Sequence, residues 1–287
     1  MDSPVQGVRM PSLSGKTAVI TGAASGIGQA LAVRLAAEGC QLALADIDLP
    51  QLERNAEALR HQSPRVTCHA LDVAQRDAVH AFAEQVISEH GGADLIINNA
   101  GVAVSQTIDQ LSYEDFEWLM NINFWGVVHG SKAFLPHLLR QGSGHIVNLS
   151  SIFGIVSLPS QGAYNASKFA VRGFTEALRQ EVACRGVAVS CVHPGGIKTN
   201  IARSARFYRG IDGSQDAERA CQNFDKLART TAAQAAEVIV NGIKSGKPRI
   251  LVGSDARLLD QIQRLLPASY PGLLARLLGR KGTASHQ

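Results

Sequence analysis

Short runs of aliphatic and β-branched residues alternate along this chain with longer segments whose apolar positions recur at helical spacing, and the unit repeats about seven times. The runs predict strands at Thr17–Thr21, Gln41–Ala45, Arg65–Ala70, Leu95–Asn98, His145–Leu149, Val187–Val192 and Arg249–Val252, with helices filling the gaps. Each run is short and almost continuously apolar, as strands covered by helices on both faces require. The expected architecture is α/β: a doubly wound, seven-stranded parallel sheet with helices on both faces.

No low-complexity linker and no repeat at solenoid period interrupts the rhythm, so residues 15–253 read as a single domain behind a tail at 1–14. Two segments depart from it. Between about 196 and 230 the pattern turns polar and irregular, with Arg203, Arg206, Tyr208 and Arg209, and reads as a mobile surface segment. Residues 254–287 form an amphipathic C-terminal extension whose two leucine-rich pieces are split by Pro267 and Pro271.

Composition narrows the class. The 287 residues are 45% hydrophobic and 18% charged, with 27 glycines and 10 prolines, which excludes disordered, collagen-like and disulfide-rich chains. Lysine plus arginine exceeds aspartate plus glutamate by 28 − 24, or +4, without a concentrated basic face in the body of the chain, so no nucleic-acid partner is expected. Cysteines 40, 68, 184, 191 and 221 are odd in number and scattered, with neither disulfide nor zinc-site spacing, and read as reduced thiols of a cytoplasmic protein binding no metal. No secretion or organelle signal is readable in MDSPVQGVRMPSLS, and no apolar run reaches the roughly 18 residues needed to span a bilayer.

The first strand runs into Thr21-Gly22-Ala23-Ala24-Ser25-Gly26-Ile27-Gly28, and a helical pattern follows at once. Glycines there allow a tight turn and bring a pyrophosphate against the amide donors of a helix N-terminus. Asp46 ends the second strand at the position where a carboxylate accepts hydrogen bonds from an adenosine ribose and repels a 2′-phosphate, arguing for NAD over NADP; Asp48 competes for the role. In Tyr164-Asn165-Ala166-Ser167-Lys168 the tyrosine and lysine stand four apart on one helix face, where an ammonium lowers the pKa of a phenol toward use as an acid-base group.

With Asn98-Asn99-Ala100-Gly101, Ser151 and Pro194-Gly195 in the same order, these motifs make the chain resemble the short-chain dehydrogenase/reductase family, in its short single-domain branch, over roughly residues 14 to 253. The resemblance implies a Rossmann-like fold, hydride transfer to or from NAD, and an alcohol or ketone substrate. By resemblance Tyr164 is the acid-base residue, Lys168 its partner and a ligand of the nicotinamide ribose, and Ser151 the group that orients the substrate oxygen, with Ser150 its rival. Asn123 corresponds to the asparagine that shapes a helix and holds a relay water, Asn121 being the alternative. Gly22, Ser25, Gly26, Ile27 and Gly28 hold the pyrophosphate; Asp72 and Val73 flank the adenine. Asn99, Ala100 and Gly101 line the cofactor wall, and Pro194, Gly195, Ile197 and Thr199 meet the nicotinamide end. The family commonly forms homodimers and homotetramers, with helices beside Asn123 and Tyr164 at the interface.

The segment at 196–230 occupies the place of the family's substrate lid. Phe153, Ile201 and Phe207, together with Tyr208, Val156 and Leu158, imply a lipophilic pocket suited to a steroid-like or long-chain secondary alcohol, whereas the arginines of the lid read as a solvated basic face. In the extension, Arg257, Arg264, Arg276, Arg280 and Lys281 accompany stripes of Leu258, Leu259, Ile262, Leu265 and Leu266, then Leu273, Leu274, Leu277 and Leu278. Packing over the substrate cleft or a neighbouring subunit is the expected role, weak association with a membrane surface the alternative. Other chemistries compatible with the motifs are a dinucleotide sensor without turnover and an epimerase or dehydratase on the same fold.

Overall fold

The computed structural model describes residues 9–277. In chain order the elements begin with β1 (Thr17–Thr21), α1 (Gly26–Ala37), β2 (Gln41–Asp46), α2 (Leu49–Leu59), β3 (Val66–Ala70), α3 (Arg76–His90), β4 (Leu95–Asn98) and β5 (Val104–Ser105). Next come α4 (Tyr113–Met120), a π-helical turn (Asn121–Trp125), α5 (Gly126–Gln141), β6 (Gly144–Leu149), a 3-10 turn (Ile152–Gly154), α6 (Gly162–Glu181) and β7 (Val187–Pro194). The chain continues through β8 (Ile197–Lys198), β9 (Arg206–Phe207), α7 (Ala217–Leu227), β10 (Thr230–Thr231), α8 (Ala232–Lys244), β11 (Arg249–Val252), α9 (Ser254–Leu265) and α10 (Tyr270–Leu277).

Seven strands form one parallel sheet in the order β11-β7-β6-β4-β1-β2-β3, the Rossmann-like arrangement. Alternate strand residues separate into two cores. Ile20, Leu42, Leu44, Ile97 and Val147 pack under Leu31, Leu35, Ile239 and Ile243 of α1 and α8. Val19, Ala43, Ile96 and Ile146 face Phe82, Val86, Phe134, Leu138 and Leu178 of α3, α5 and α6. Each such fully buried Leu, Ile or Phe contributes about 2 kcal/mol through removal of apolar surface from water. Strands β2 and β7 run past their expected ends because Asp46 pairs with Ala70 and Pro194 with Val252, so the neighbouring strand extends each ladder.

The strand order reverses between β1 and β4, and the crevice outside their carboxyl ends is where open α/β sheets bind ligands. The glycine turn follows β1 and Asn99–Gly101 follows β4, so both motifs open onto this crevice.

Two expectations need correction. The stretch at 196–230 is not a free surface segment. It is held by β8 against β10 and by β9 against β5. Of its arginines, Arg206 is not simply solvated: it pairs with the buried Asp115 at 2.7 Å and lies 3.7 Å over the Trp118 ring, while Arg203 stays exposed in a surface pair with Asp225. The cause is pairing of β9 with β5, which brings Arg206 onto α4. The extension packs against the 3-10 turn, with Ala256, Tyr270 and Leu274 in one apolar cluster with Ile152, Ile155 and Val156. Residues 1–8 of the tail, and Leu278, Arg280 and Lys281 of the expected stripe, lie outside the described residues. Among the described residues no helix is long and apolar enough to cross a membrane.

Candidate active site

At the end of β1 the backbone turns through Gly22 and Gly26, at φ +65° and +56°, conformations that glycine adopts without strain. A Cβ on Gly28 would lie 2.1 Å from the Gly22 carbonyl oxygen and 2.6 Å from Asn99 Nδ2, so the close approach of α1 to the turn needs hydrogen at that position. Asn99 donates from Nδ2 to the carbonyls of Thr21 and Gly22, and Thr21 Oγ1 accepts the N–H groups of Asn99 and Ala100. The turn and the β4 loop are thus one unit. Helix α1 starts after Ser25 with no side-chain cap and no acidic residue in its first turn. Its amide donors and the positive end of its dipole therefore face the crevice, a fit for a pyrophosphate.

Asp46 stands beside this turn with its carboxylate clamped: Oδ2 accepts Ala24 N–H at 2.9 Å and Oδ1 accepts Asp48 N–H at 3.0 Å. Asp48, its competitor, instead caps α2 by accepting Gln51 N–H at 3.0 Å. Asp72 caps its own loop through Ala74 N–H, and Val73 packs so closely on the start of α5 that a Cβ on Gly126 would come within 2.8 Å of it. Thr199 reaches back over the glycine turn, its methyl 3.3 Å from where a Cβ on Gly26 would stand.

The second half of the site is built by β6 and α6. Ser151 follows β6 and accepts Phe153 N–H at 3.1 Å, while Ser150 turns away and donates to the Lys168 carbonyl at 2.8 Å. Tyr164 is half-buried on the first turn of α6, with the Phe153 ring edge-on at 6.1 Å. Lys168, only 3% exposed, donates from Nζ to the Leu149 carbonyl at 3.0 Å and lies 5.7 Å from the centre of the Tyr164 ring. Among the described residues that carbonyl is the one hydrogen-bond partner of Nζ, which leaves two of three ammonium donors to meet a ligand oxygen. Asn123 sits in the π-helical turn, where it accepts Val102 N–H at 2.8 Å and donates to the Val102 carbonyl at 2.9 Å. Such turns are frequent at functional sites. A Cβ on Gly101 would lie 3.3 Å from Asn123 Oδ1 and 3.5 Å from Lys168 Nζ, so the bare glycine keeps the space between those two open.

The electrostatics differ from the expectation drawn from spacing. Burial pushes the Tyr164 phenol up to about 12, with the Ser151 hydroxyl pulling weakly the other way, and burial lowers the Lys168 ammonium to about 8. Spacing places the pair on one face but gives no measure of desolvation, which disfavours both charged forms. A charged Lys168 at 5.7 Å opposes that effect.

Several supporting residues escape sequence reasoning. Asn165 donates to the carbonyls of Phe153 and Val156 and ties the loop after Ser151 to α6. His193, fully buried at the end of β7, bonds through Nδ1 to the Ser151 carbonyl at 3.0 Å, which requires the Nδ1–H tautomer. Asp255 accepts Gly196 N–H at 2.6 Å, and Tyr270 Oη accepts Ser157 N–H at 3.0 Å. Only Asn165 lay inside a motif already singled out. Of the expected substrate residues, Phe153 meets Tyr164, whereas Phe207 lies in β9 with its ring against Gly210, and Ile201 is half-buried in the loop after β8.

Residues 16–208 match the family model for short chain dehydrogenase. The chain belongs to the short-chain dehydrogenase/reductase family. Its oxidoreductase fold is shared with a short-chain dehydrogenase/reductase from Burkholderia phymatum solved in complex with NAD, at 31% identity and TM-score 0.79, covering 96% of this chain and 99% of the other. The protein SadH of Mycobacterium tuberculosis is 47% identical over 269 residues, 93% of this chain and 96% of SadH. A solved alcohol dehydrogenase from the archaeon Thermococcus sibiricus, in complex with 5-hydroxy-NADP, matches at 27% identity and TM-score 0.69 over 83% of this chain and 95% of its own. Both cofactor types occur among these neighbours, NAD in the Burkholderia protein and 5-hydroxy-NADP in the Thermococcus one.

Proposed function

We propose that this short-chain dehydrogenase uses NAD to interconvert a lipophilic secondary alcohol and its ketone. The observation that carries the reading is that Lys168 Nζ lies 5.7 Å from the centre of the Tyr164 ring, whose phenol Ser151 acts on, and beside Gly101, whose loop opens onto the same crevice as the uncapped N-terminus of α1. Backbone amides at Gly26, Ile27 and Gly28 hold the pyrophosphate. Asp46 accepts from the adenosine ribose hydroxyls and repels a 2′-phosphate, and the free donors of Lys168 reach the nicotinamide ribose. When bound, NAD supplies the hydride acceptor, a task protein side chains do not perform.

Ser151 Oγ hydrogen-bonds the substrate oxygen and Tyr164 Oη exchanges the proton. With its pKa pushed up, Tyr164 keeps its proton at neutral pH and suits donation to a carbonyl; in the oxidative direction the charge on Lys168 helps it accept one. The apolar surroundings of Tyr164 support a lipophilic substrate. Phe153 stands on one side with Ile152 and Val156 behind it, and Val102, Leu111 and Trp118 pack with Tyr164 in a separate cluster. Exposed Phe116 on α4, Trp125 on the π-helical turn and Phe169 on α6, three elements packed on one another, support a homodimer or homotetramer formed through them, which light scattering tests.

The test is a panel of aliphatic, terpenoid and steroidal secondary alcohols followed by formation of NADH, run with Tyr164→Phe alongside. Loss of the proton carrier should cut turnover about 100-fold to 10,000-fold. NADH affinity should change little. A tyrosine-free enzyme turning over at the parental rate refutes the assignment, and a parent that yields no NADH from any member refutes the substrate class.

A further inference from the structure

We infer that the C-terminal helices brace the active site, with Asp255 positioning the loop after β7 and Tyr270 positioning the loop after β6. The inference rests on the functional reading above for what those loops contact, but its structural content is separate.

Asp255 lies in the first turn of α9, outside the strand-helix repeat that the family pattern covers. Its Oδ2 accepts Gly196 N–H at 2.6 Å, a charge-assisted bond, and its carboxylate fills the space where a Cβ on Gly195 would stand, 2.2 Å away. Gly195 N–H in turn donates to the Val252 carbonyl at the end of β11. The loop from Pro194 to Thr199 is therefore held at its base by the β11–α9 junction, and at its far end Thr199 lies over Gly26 of the phosphate turn. A shift at Asp255 moves residues that face the dinucleotide.

Tyr270 acts on the other wall. It is 8% exposed, its ring lies in the cluster with Ile152, Ile155 and Val156, and its hydroxyl accepts Ser157 N–H at 3.0 Å. Asn165 holds the same loop from the α6 side through Phe153 and Val156. Ser151 and Phe153 thus sit in a segment gripped between α6 and the extension. The opposite face of α9, with Leu258 and Leu265 exposed, takes no part in the grip and supplies a control.

Asp255→Ala, Asp255→Asn, Tyr270→Phe and Leu265→Ser are compared with the parent by NADH fluorescence titration and by hydrogen–deuterium exchange of peptides covering 151–158 and 194–199. Losing a hydrogen bond to a charged group, D255A should weaken NADH binding about tenfold or more. Exchange should rise at 194–199 while 151–158 stays near parental. The Asn variant keeps an acceptor oxygen and should recover most of the affinity. Y270F should raise exchange at 151–158 and leave NADH affinity within about twofold, because it loses a single neutral hydrogen bond remote from the dinucleotide. L265S should match the parent in both.

Parental NADH affinity with unchanged exchange at 194–199 in D255A overturns the inference, as does a uniform rise across both peptides in either variant, which marks general destabilisation. If D255A does not fold, Asp255→Ser, too short to reach Gly196 N–H, decides by the same two readouts. None of these outcomes depends on turnover, so failure of the Tyr164→Phe test would remove the catalytic reading and leave the brace standing or falling by itself.

Discussion

Acid should unfold this protein earlier than its carboxylates alone require, because two histidines are buried neutral in the sheet. His145 on β6 bonds through Nε2 to Ser190 Oγ at 2.7 Å, and His193 on β7 bonds through Nδ1 to the Ser151 carbonyl. Burial lowers both to about 4 from an ordinary 6.5; at His193 the bond to the Ser151 carbonyl and the charge of Asp260 oppose this, while Arg249 and Arg172 add to it. The folded pKa of each base is depressed, so the unfolded chain takes up protons first and stability falls as pH drops below 6.5. At pH 5.5 the unfolded form of each histidine gains about 1.4 kcal/mol by protonation, roughly 3 kcal/mol for the pair, and below pH 4 the loss levels off at about 3.4 kcal/mol each. His69, His90 and His129 are also shifted downward by burial and add in the same direction. Urea unfolding followed by the fluorescence of Trp118 and Trp125 at pH 7.5 and 5.5 measures the difference. His145→Asn isolates one share, since the gap between the two pH values should narrow by about 1.4 kcal/mol whatever the variant does to stability at either one. A midpoint that holds or rises on going to pH 5.5, or a gap that His145→Asn leaves intact, refutes the reasoning.

The remaining expectations concern single contacts. Gly28→Ala places a methyl 2.1 Å from a backbone oxygen in a turn already bonded on both sides, so it should cost about 3 kcal/mol or more in thermal stability and abolish NADH binding by titration. Asp46→Ala removes the clamped carboxylate and should narrow the ratio of NAD to NADP efficiency roughly tenfold, from the loss of charge-assisted bonds and of repulsion; an unchanged ratio points elsewhere in the pocket. Arg206→Ala leaves Asp115, 7% exposed, without its cation and should cost about 1–2 kcal/mol, since the arginine itself is partly solvated. Faster trypsin cleavage within 196–230 should accompany it; parental cleavage would show that β9 is held by β5 pairing alone.

What the chain reveals by itself depends on whether a constraint is local. The central strands are readable because covered strands must be apolar along their whole length, and the run from Leu95 to Ile97 or from Val187 to Val189 records that directly. The turn at Gly22, Gly26 and Gly28 is readable because each glycine answers a backbone demand within eight residues. Tyr164 and Lys168 are readable as a pair because a helix converts spacing into a shared face. Depth has no such signature, and so the direction of their pKa shifts, set by burial, contradicts what their spacing suggests.

The same distinction explains the residues that spacing misses. His193 meets the Ser151 carbonyl across 42 positions, Asp255 meets Gly196 across 59, and Tyr270 meets Ser157 across 113. Each is a polar side chain satisfying a backbone group of a loop beside the candidate site, and the loop's own sequence carries no trace of the partner because every residue has an N–H and a C=O to satisfy. A loop at the end of a parallel strand leaves the ladder with those groups unpaired, and its precision then depends on whichever side chains the fold delivers from elsewhere. In this short-chain dehydrogenase two of the three come from helices beyond the strand-helix repeat. Transplanting only residues 15–253 should therefore carry the motifs without the contacts that hold the loops after β6 and β7 in place.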